Sequence, residues 1–94
     1  MKVLFSKDAQ RDISGIYDYI QERNPSGAAK VVLAIRAVTH RLAHFPRSGR
    51  NGGTPNTREI IVPKLPYIIV YCIKLDCAEI VAVFHAAEDR PRGY

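Results

Sequence analysis

Leu65-Pro66-Tyr67-Ile68-Ile69-Val70-Tyr71-Cys72-Ile73 is the stretch whose reading decides the fold. From Tyr67 to Ile73 it holds no charge, no Gly and no Pro, and β-branched or aromatic residues dominate. The run is too short for a membrane span and lacks the polar face of a surface helix. Side chains alternate across a strand, so Tyr67, Ile69, Tyr71 and Ile73 face one way and Ile68, Val70 and Cys72 the other. Both faces are apolar, which predicts a central strand covered on at least part of each side.

Working outward, Thr57 to Val62 is the preceding strand, joined through Pro63-Lys64-Leu65-Pro66. After a turn at Lys74-Leu75-Asp76-Cys77, Glu79 to His85 forms the last strand. Connections this short imply an antiparallel meander. Upstream, Arg47 to Asn56 is rich in Gly, Asn and Pro and reads as a loop. Its glycines and arginines carry no Gly-Lys-Ser/Thr signature and lead into a strand, so a phosphate-binding loop is rejected.

The first half of the chain is helical. Lys2 to Phe5 is a short strand, after which Ser6 serves as an N-cap and Asp8 favours the first turn. Ala9, Ile13, Ile16, Tyr17 and Ile20 recur at helical spacing. Asn24-Pro25 caps and opens a second helix. Its stripe runs through Ala28, Val31, Ile35, Val38, Leu42 and Phe45, with Pro46 as the stop. Two helices joined by a short turn form an antiparallel hairpin. The expected fold is therefore α+β, in the order β-α-α-β-β-β. The helical hairpin packs on one face of a small, mainly antiparallel sheet, all within one domain spanning 1–94. The tail from Ala86 to Tyr94 is polar and expected to be partly mobile.

The totals narrow the function. No apolar run approaches the roughly 20 residues of a membrane helix, and Ser6-Lys7-Asp8 breaks any signal-peptide core, so a cytosolic location is expected. Cys72 and Cys77 match no zinc or redox spacing and read as buried thiols. His40 and His44 sit four apart on a helix without a third ligand, so no metal and no cofactor are expected. Net charge is +5, and from Arg23 to Lys74 nine Lys or Arg residues stand against one acid, Glu59. That excess fits an acidic partner, either a nucleic acid or an acidic protein segment.

An ordered set of short motifs resembles the RelE/ParE superfamily of bacterial toxins. It comprises Asp12-Ile13, Tyr17-Asp18-Tyr19-Ile20, Asn24-Pro25, Ala28-Ala29 and Phe45-Pro46-Arg47-Ser48-Gly49-Arg50. Thr57-Arg58-Glu59, Pro66-Tyr67-Ile68-Ile69-Val70-Tyr71 and Val83-Phe84-His85 complete it. The resemblance implies the toxin of a type II toxin–antitoxin pair, forming a hetero-oligomer with its antitoxin. RelE-like members cut messenger RNA on the ribosome, whereas ParE-like members act on DNA gyrase. RelE-like members typically read Tyr-Arg where this chain has Tyr67-Ile68, and Ile68 cannot replace a phosphate-binding cation. Their further Arg aligns roughly with Glu88. The resemblance is therefore closer to ParE, which implies gyrase as target and no catalytic residues.

In the alternative, a ribosome-dependent mRNA interferase would use His85, Arg58, Lys64 and Tyr94. His85 offers an imidazole, a group suited to acid–base chemistry, but it also reads as a structural histidine. A third reading is a degenerate, non-toxic protein that only binds its antitoxin. For the target, Arg90, Arg92 and Tyr94 form a candidate contact set of two cations and a ring. For the antitoxin, an acidic and partly disordered segment that folds on binding, the candidates are Arg36, Arg41, Arg58 and Tyr71.

Overall fold

A computed structural model describes Met1–Tyr94. The elements are β1 (Lys2–Phe5), α1 (Lys7–Gln21), α2 (Pro25–Leu42), β2 (Arg50–Asn51), β3 (Arg58–Ile61), β4 (Tyr67–Ile73) and β5 (Cys77–His85). A 3-10 turn at Pro91–Gly93 follows. The five strands form one sheet in the order β1-β5-β4-β3-β2, so the apolar run at β4 is its middle strand, as expected. β4 pairs antiparallel with both β3 and β5, while β1 lies parallel to β5.

The helices start where their caps predict. The Ser6 side chain accepts from the Ala9 N–H, and the Asn24 side chain accepts from the Gly27 N–H beside Pro25. α2 stops at Leu42, three residues short of Phe45. Ala43 and His44 N–H groups already bond to carbonyls three residues back, and Phe45 is exposed. The residue before a proline disfavours helical backbone, so the helix tightens and ends before it reaches Pro46.

Both faces of the sheet are apolar, as the alternation in β4 demands. Towards the helices, Ile69, Tyr71 and Ile80 pack with Ala9, Ile35 and Leu42. On the far face, Ile68, Val70, Val81, Ala82 and Phe84 form a smaller cluster, with Tyr94 laid against it. Val70 pairs with Ala82 and Tyr71 with Ile80, so Val81 is the extra residue of a β-bulge. The bulge puts Val81 and Ala82 on the same face and widens the far-side apolar patch. The chain's last residues cover this patch rather than swinging free. The tail, read from the sequence as a polar terminus, thus forms a strap fastened at Arg90, Arg92 and Tyr94.

β2 lies in the segment read as loop and consists of Arg50 and Asn51 paired with Glu59 and Arg58. Tyr71, expected to face a partner, is instead fully buried at 0% exposure. Its hydroxyl donates to the Pro46 carbonyl at 2.7 Å and accepts from the Gly49 N–H at 2.9 Å. Gly49 is required there, because a Cβ would stand 2.6 Å from that hydroxyl. Tyr71 thus pins the α2–β2 connection to the core.

Candidate functional site

Three surfaces carry the exposed chemistry. The first is a groove of about 820 Å³ where α1 and α2 meet β1. Leu4, Phe5, Ile13, Tyr17 and Val32 give it an apolar floor, and Arg36 stands on its rim. Leu4 is 50% exposed, a large share for a leucine on a strand. β1 is an edge strand whose outer side pairs with nothing, so the groove runs beside open backbone donors and acceptors. Arg36 makes no ion pair, whereas the rim acid Glu79 is already bound to Lys74 at 2.9 Å. The unspent charge at this groove is therefore positive.

The second surface is the far face of the sheet under the strap. Glu59 points into it at 2% exposure and pairs with Arg90 through both carboxylate oxygens and with Arg50 at 3.3 Å. The Arg90 hydrogen bond holds the Glu59 carboxyl below its usual range, outweighing a burial effect of opposite sign, and Arg50 adds to the lowering. Arg90 also donates to the Tyr94 carbonyl at 3.0 Å and lies over the Phe84 ring. Arg92 forms the second fastening, donating to Asp12 Oδ2 at 2.8 Å and to the Val81 carbonyl at 2.9 Å. Asp12 in turn accepts from the Val83 N–H at 3.0 Å, just past the bulge.

The third is a cleft of about 640 Å³ between α1 and the end of β5, where His85 sits with Tyr67, Tyr19, Glu88 and Asp89. His85 Nδ1 accepts from the Ala87 N–H at 3.0 Å, and the ring meets Tyr67 edge to face at 5.5 Å. Accepting at Nδ1 leaves Nε2 as the protonated nitrogen of the neutral ring. Burial pushes the Tyr67 phenol up, with the Glu88 charge adding to it.

The residues of the nuclease alternative do not converge. His85 pairs with Tyr67 and Arg58 with Tyr71, which places them about 13 Å apart along β4. Arg58 donates to the Arg47 and Gly49 carbonyls, holding the loop before β2. Lys64 occupies the β3–β4 turn with a left-handed φ of 64°. Tyr94 lies across the sheet from the helices. His40 and His44 rings touch edge to face at 5.7 Å, and no three His, Cys, Asp or Glu side chains gather into a metal-ligating group.

Among the expected antitoxin contacts, Arg36 is at the groove. Arg41 is exposed in the last turn of α2, outside the groove lining. Tyr71 is corrected, being core, whereas Arg58 braces a loop and stays partly exposed. Arg90 and Arg92 stay near the surface, but each is tied to a carboxylate. Sequence reasoning missed Glu59 and Asp12 as their partners. Glu59 carried a signal, since it is the one acid in a long basic stretch. Asp12 carried none, because its partners lie 71 and 80 residues away.

A helical hairpin on a five-stranded mixed sheet, with an open groove at the parallel edge, is the RelE/ParE toxin fold. The chain belongs to the family described as the ParE toxin of the type II toxin–antitoxin system, parDE, whose model matches residues 3–90. It is 37% identical over 91 residues to a putative toxin, Y4kP, of Sinorhizobium fredii, covering 97% of this chain and 94% of that protein. It is 33% identical over 86 residues to toxin RelE2 of Caulobacter vibrioides, covering 92% and 96%. In fold it is similar to a chain of the chromosomal ParDE TA system from P. aeruginosa (TM-score 0.82, 22% identity, 90% of this chain and 95% of that one). It is also similar to the isolated E. coli RelE toxin, at TM-score 0.64 and 14% identity over 95% of this chain and 87% of that one. The protein is thus a type II toxin, of a family that works with a cognate antitoxin. None of its helices is long and apolar enough to cross a membrane.

Proposed function

We propose that this toxin is ParE-like in target as well as in family, inhibiting DNA gyrase in the cytoplasm through protein contact. The supporting observation is the far face of the sheet. Ile68, where nuclease relatives carry an arginine, is buried among Val70, Val81 and Phe84. The arginines on that face are spent, Arg50 and Arg90 on Glu59 and Arg92 on Asp12. A phosphorane needs unspent cations within hydrogen-bond reach, and this arrangement offers none. His85 likewise stands in a cleft whose lining sets three carboxylates, Asp12, Glu88 and Asp89, against one cation, Arg11. The Arg90–Tyr94 strap, fixed at both arginines, presents a shaped surface suited to a protein target.

The antitoxin's seat in this reading is the groove beside β1. An acidic segment with apolar anchors folds into it, Leu4 and Tyr17 supplying contact and Arg36 steering. The resulting hetero-oligomer holds the toxin inactive.

Induction without the antitoxin tests the reading. Growth arrest with relaxed reporter plasmid supports gyrase as target. Translation-dependent cuts in messenger RNA support the alternative, a ribosome-dependent mRNA interferase. Unimpaired growth with intact antitoxin binding identifies a non-toxic regulator.

A further inference from the structure

We infer that the outer face of α2 is a docking surface for duplex DNA, seated in its major groove. The inference goes beyond the gyrase reading and stands whichever target the toxin has. The first observation is unpaired charge. α2 and the connection after it run from Pro25 to Arg58 without one acid. Lys30, Arg36, Arg41 and Arg47 are all exposed, and none of them meets a carboxylate at salt-bridge distance. Unpaired cations in a row attract a polyanion, whose counterions are released on contact.

The second observation is where the charges stand. At 3.6 residues per turn, Arg36 lies about 120–140° around the helix from Lys30 and Arg41. The cations thus form the two rims of the exposed face, and Leu33, Ala37, His40 and His44 fill the strip between them. A helix about 10–12 Å across fits a B-form major groove about 12 Å wide. Seated there, the rim cations reach the phosphates on either side and the strip meets the base edges. Leu33 is 65% exposed in the middle of this basic face, which no packing in the fold explains. Against thymine methyls it gains an apolar contact.

Other polyanions fit less well. An acidic protein segment would find only Leu33 and Ala37 as anchors here, whereas the β1 groove offers it an apolar floor. α2 carries no Phe, Tyr or Trp on which single-stranded bases would stack. The deep, narrow major groove of duplex RNA does not admit a helix.

The test is fluorescence anisotropy of a labelled DNA duplex titrated with the full, antitoxin-free chain between about 50 and 200 mM salt. Four phosphate contacts predict a log–log slope of affinity against salt of about −3.6, roughly a hundredfold loss over that range. Lys30→Gln with Arg41→Gln is expected to make the slope shallower by about 1.8, reducing the loss to roughly tenfold. Arg36 is left in place because it also rims the β1 groove. Lys7→Gln with Lys64→Asn removes the same charge from α1 and the β3–β4 turn, and is expected to keep the wild-type slope. Both double variants should keep the wild-type far-UV circular dichroism, which confirms folding. Weaker binding is expected of duplex RNA, of single-stranded DNA and of polyglutamate. An equal loss of slope in the two double variants overturns the α2 face and leaves net charge as the cause. Equal binding of duplex RNA or single-stranded DNA overturns the groove, and equal binding of polyglutamate overturns a nucleic acid as partner. No binding at the lowest salt overturns the proposal outright.

Discussion

Replacing Glu59 by Gln tests whether the strap is held by charge. The substitution keeps shape and one acceptor oxygen but removes the negative charge that meets Arg90 and Arg50. Removing one member of a fully buried ion pair costs about 3–5 kcal/mol, because the other charge is left uncompensated. Here both guanidiniums keep roughly half their side-chain surface in water, with 41% exposed for Arg90 and 56% for Arg50. They can rehydrate, so the cost falls towards that of charge-assisted hydrogen bonds, about 1.5–3 kcal/mol. Urea denaturation reads that loss, and hydrogen exchange reads its location in faster exchange from Glu88 to Tyr94. The pH dependence follows from linkage. Glu59 has a lowered pKa in the fold, so its contribution is fully present above the unfolded carboxyl value of about 4.3. It is lost as pH falls through the depressed folded value. The gap between wild type and Glu59→Gln should therefore be constant near neutrality and shrink below about pH 4.3. A change under about 0.5 kcal/mol with unaltered tail protection would refute the charge-held strap.

Tyr71→Phe strands the Gly49 N–H and the Pro46 carbonyl, and should cost about 1–3 kcal/mol by urea denaturation while toxicity per folded molecule stays unchanged. Leu4→Glu puts a charge in the β1 groove. It should weaken antitoxin binding at least about tenfold by calorimetry, with stability within about 0.5 kcal/mol of wild type. Lys64→Gly relieves a left-handed residue at the β3–β4 turn. It should raise stability by up to about 1 kcal/mol, a gain read as a higher melting temperature.

The fold was legible in the sequence wherever a pattern was local. The apolar run at Tyr67–Ile73, the caps at Ser6 and Asn24, and the stripe on α2 each act within a few residues. Together they fixed the element order. What escaped was long-range. β2 exists only because Glu59 and Arg58 offer Arg50 and Asn51 a pairing edge. Tyr71 looked available as one more strand aromatic, yet it is consumed by backbone groups 22 and 25 residues upstream. The tail's arginines read as free cations because Asp12 and Glu59 stand 80 and 31 residues away in the chain. Charge counting finds a basic surface but not which cations are already neutralised, and that distinction decides between a phosphate site and a protein-binding face.

The most direct test of the gyrase reading is a supercoiling assay with purified gyrase, relaxed plasmid and the antitoxin-free toxin. A ParE-like toxin inhibits supercoiling in a dose-dependent manner, and added antitoxin restores it. Unaffected supercoiling by a folded, growth-arresting toxin, together with cleavage of ribosome-bound messenger RNA, would contradict that reading.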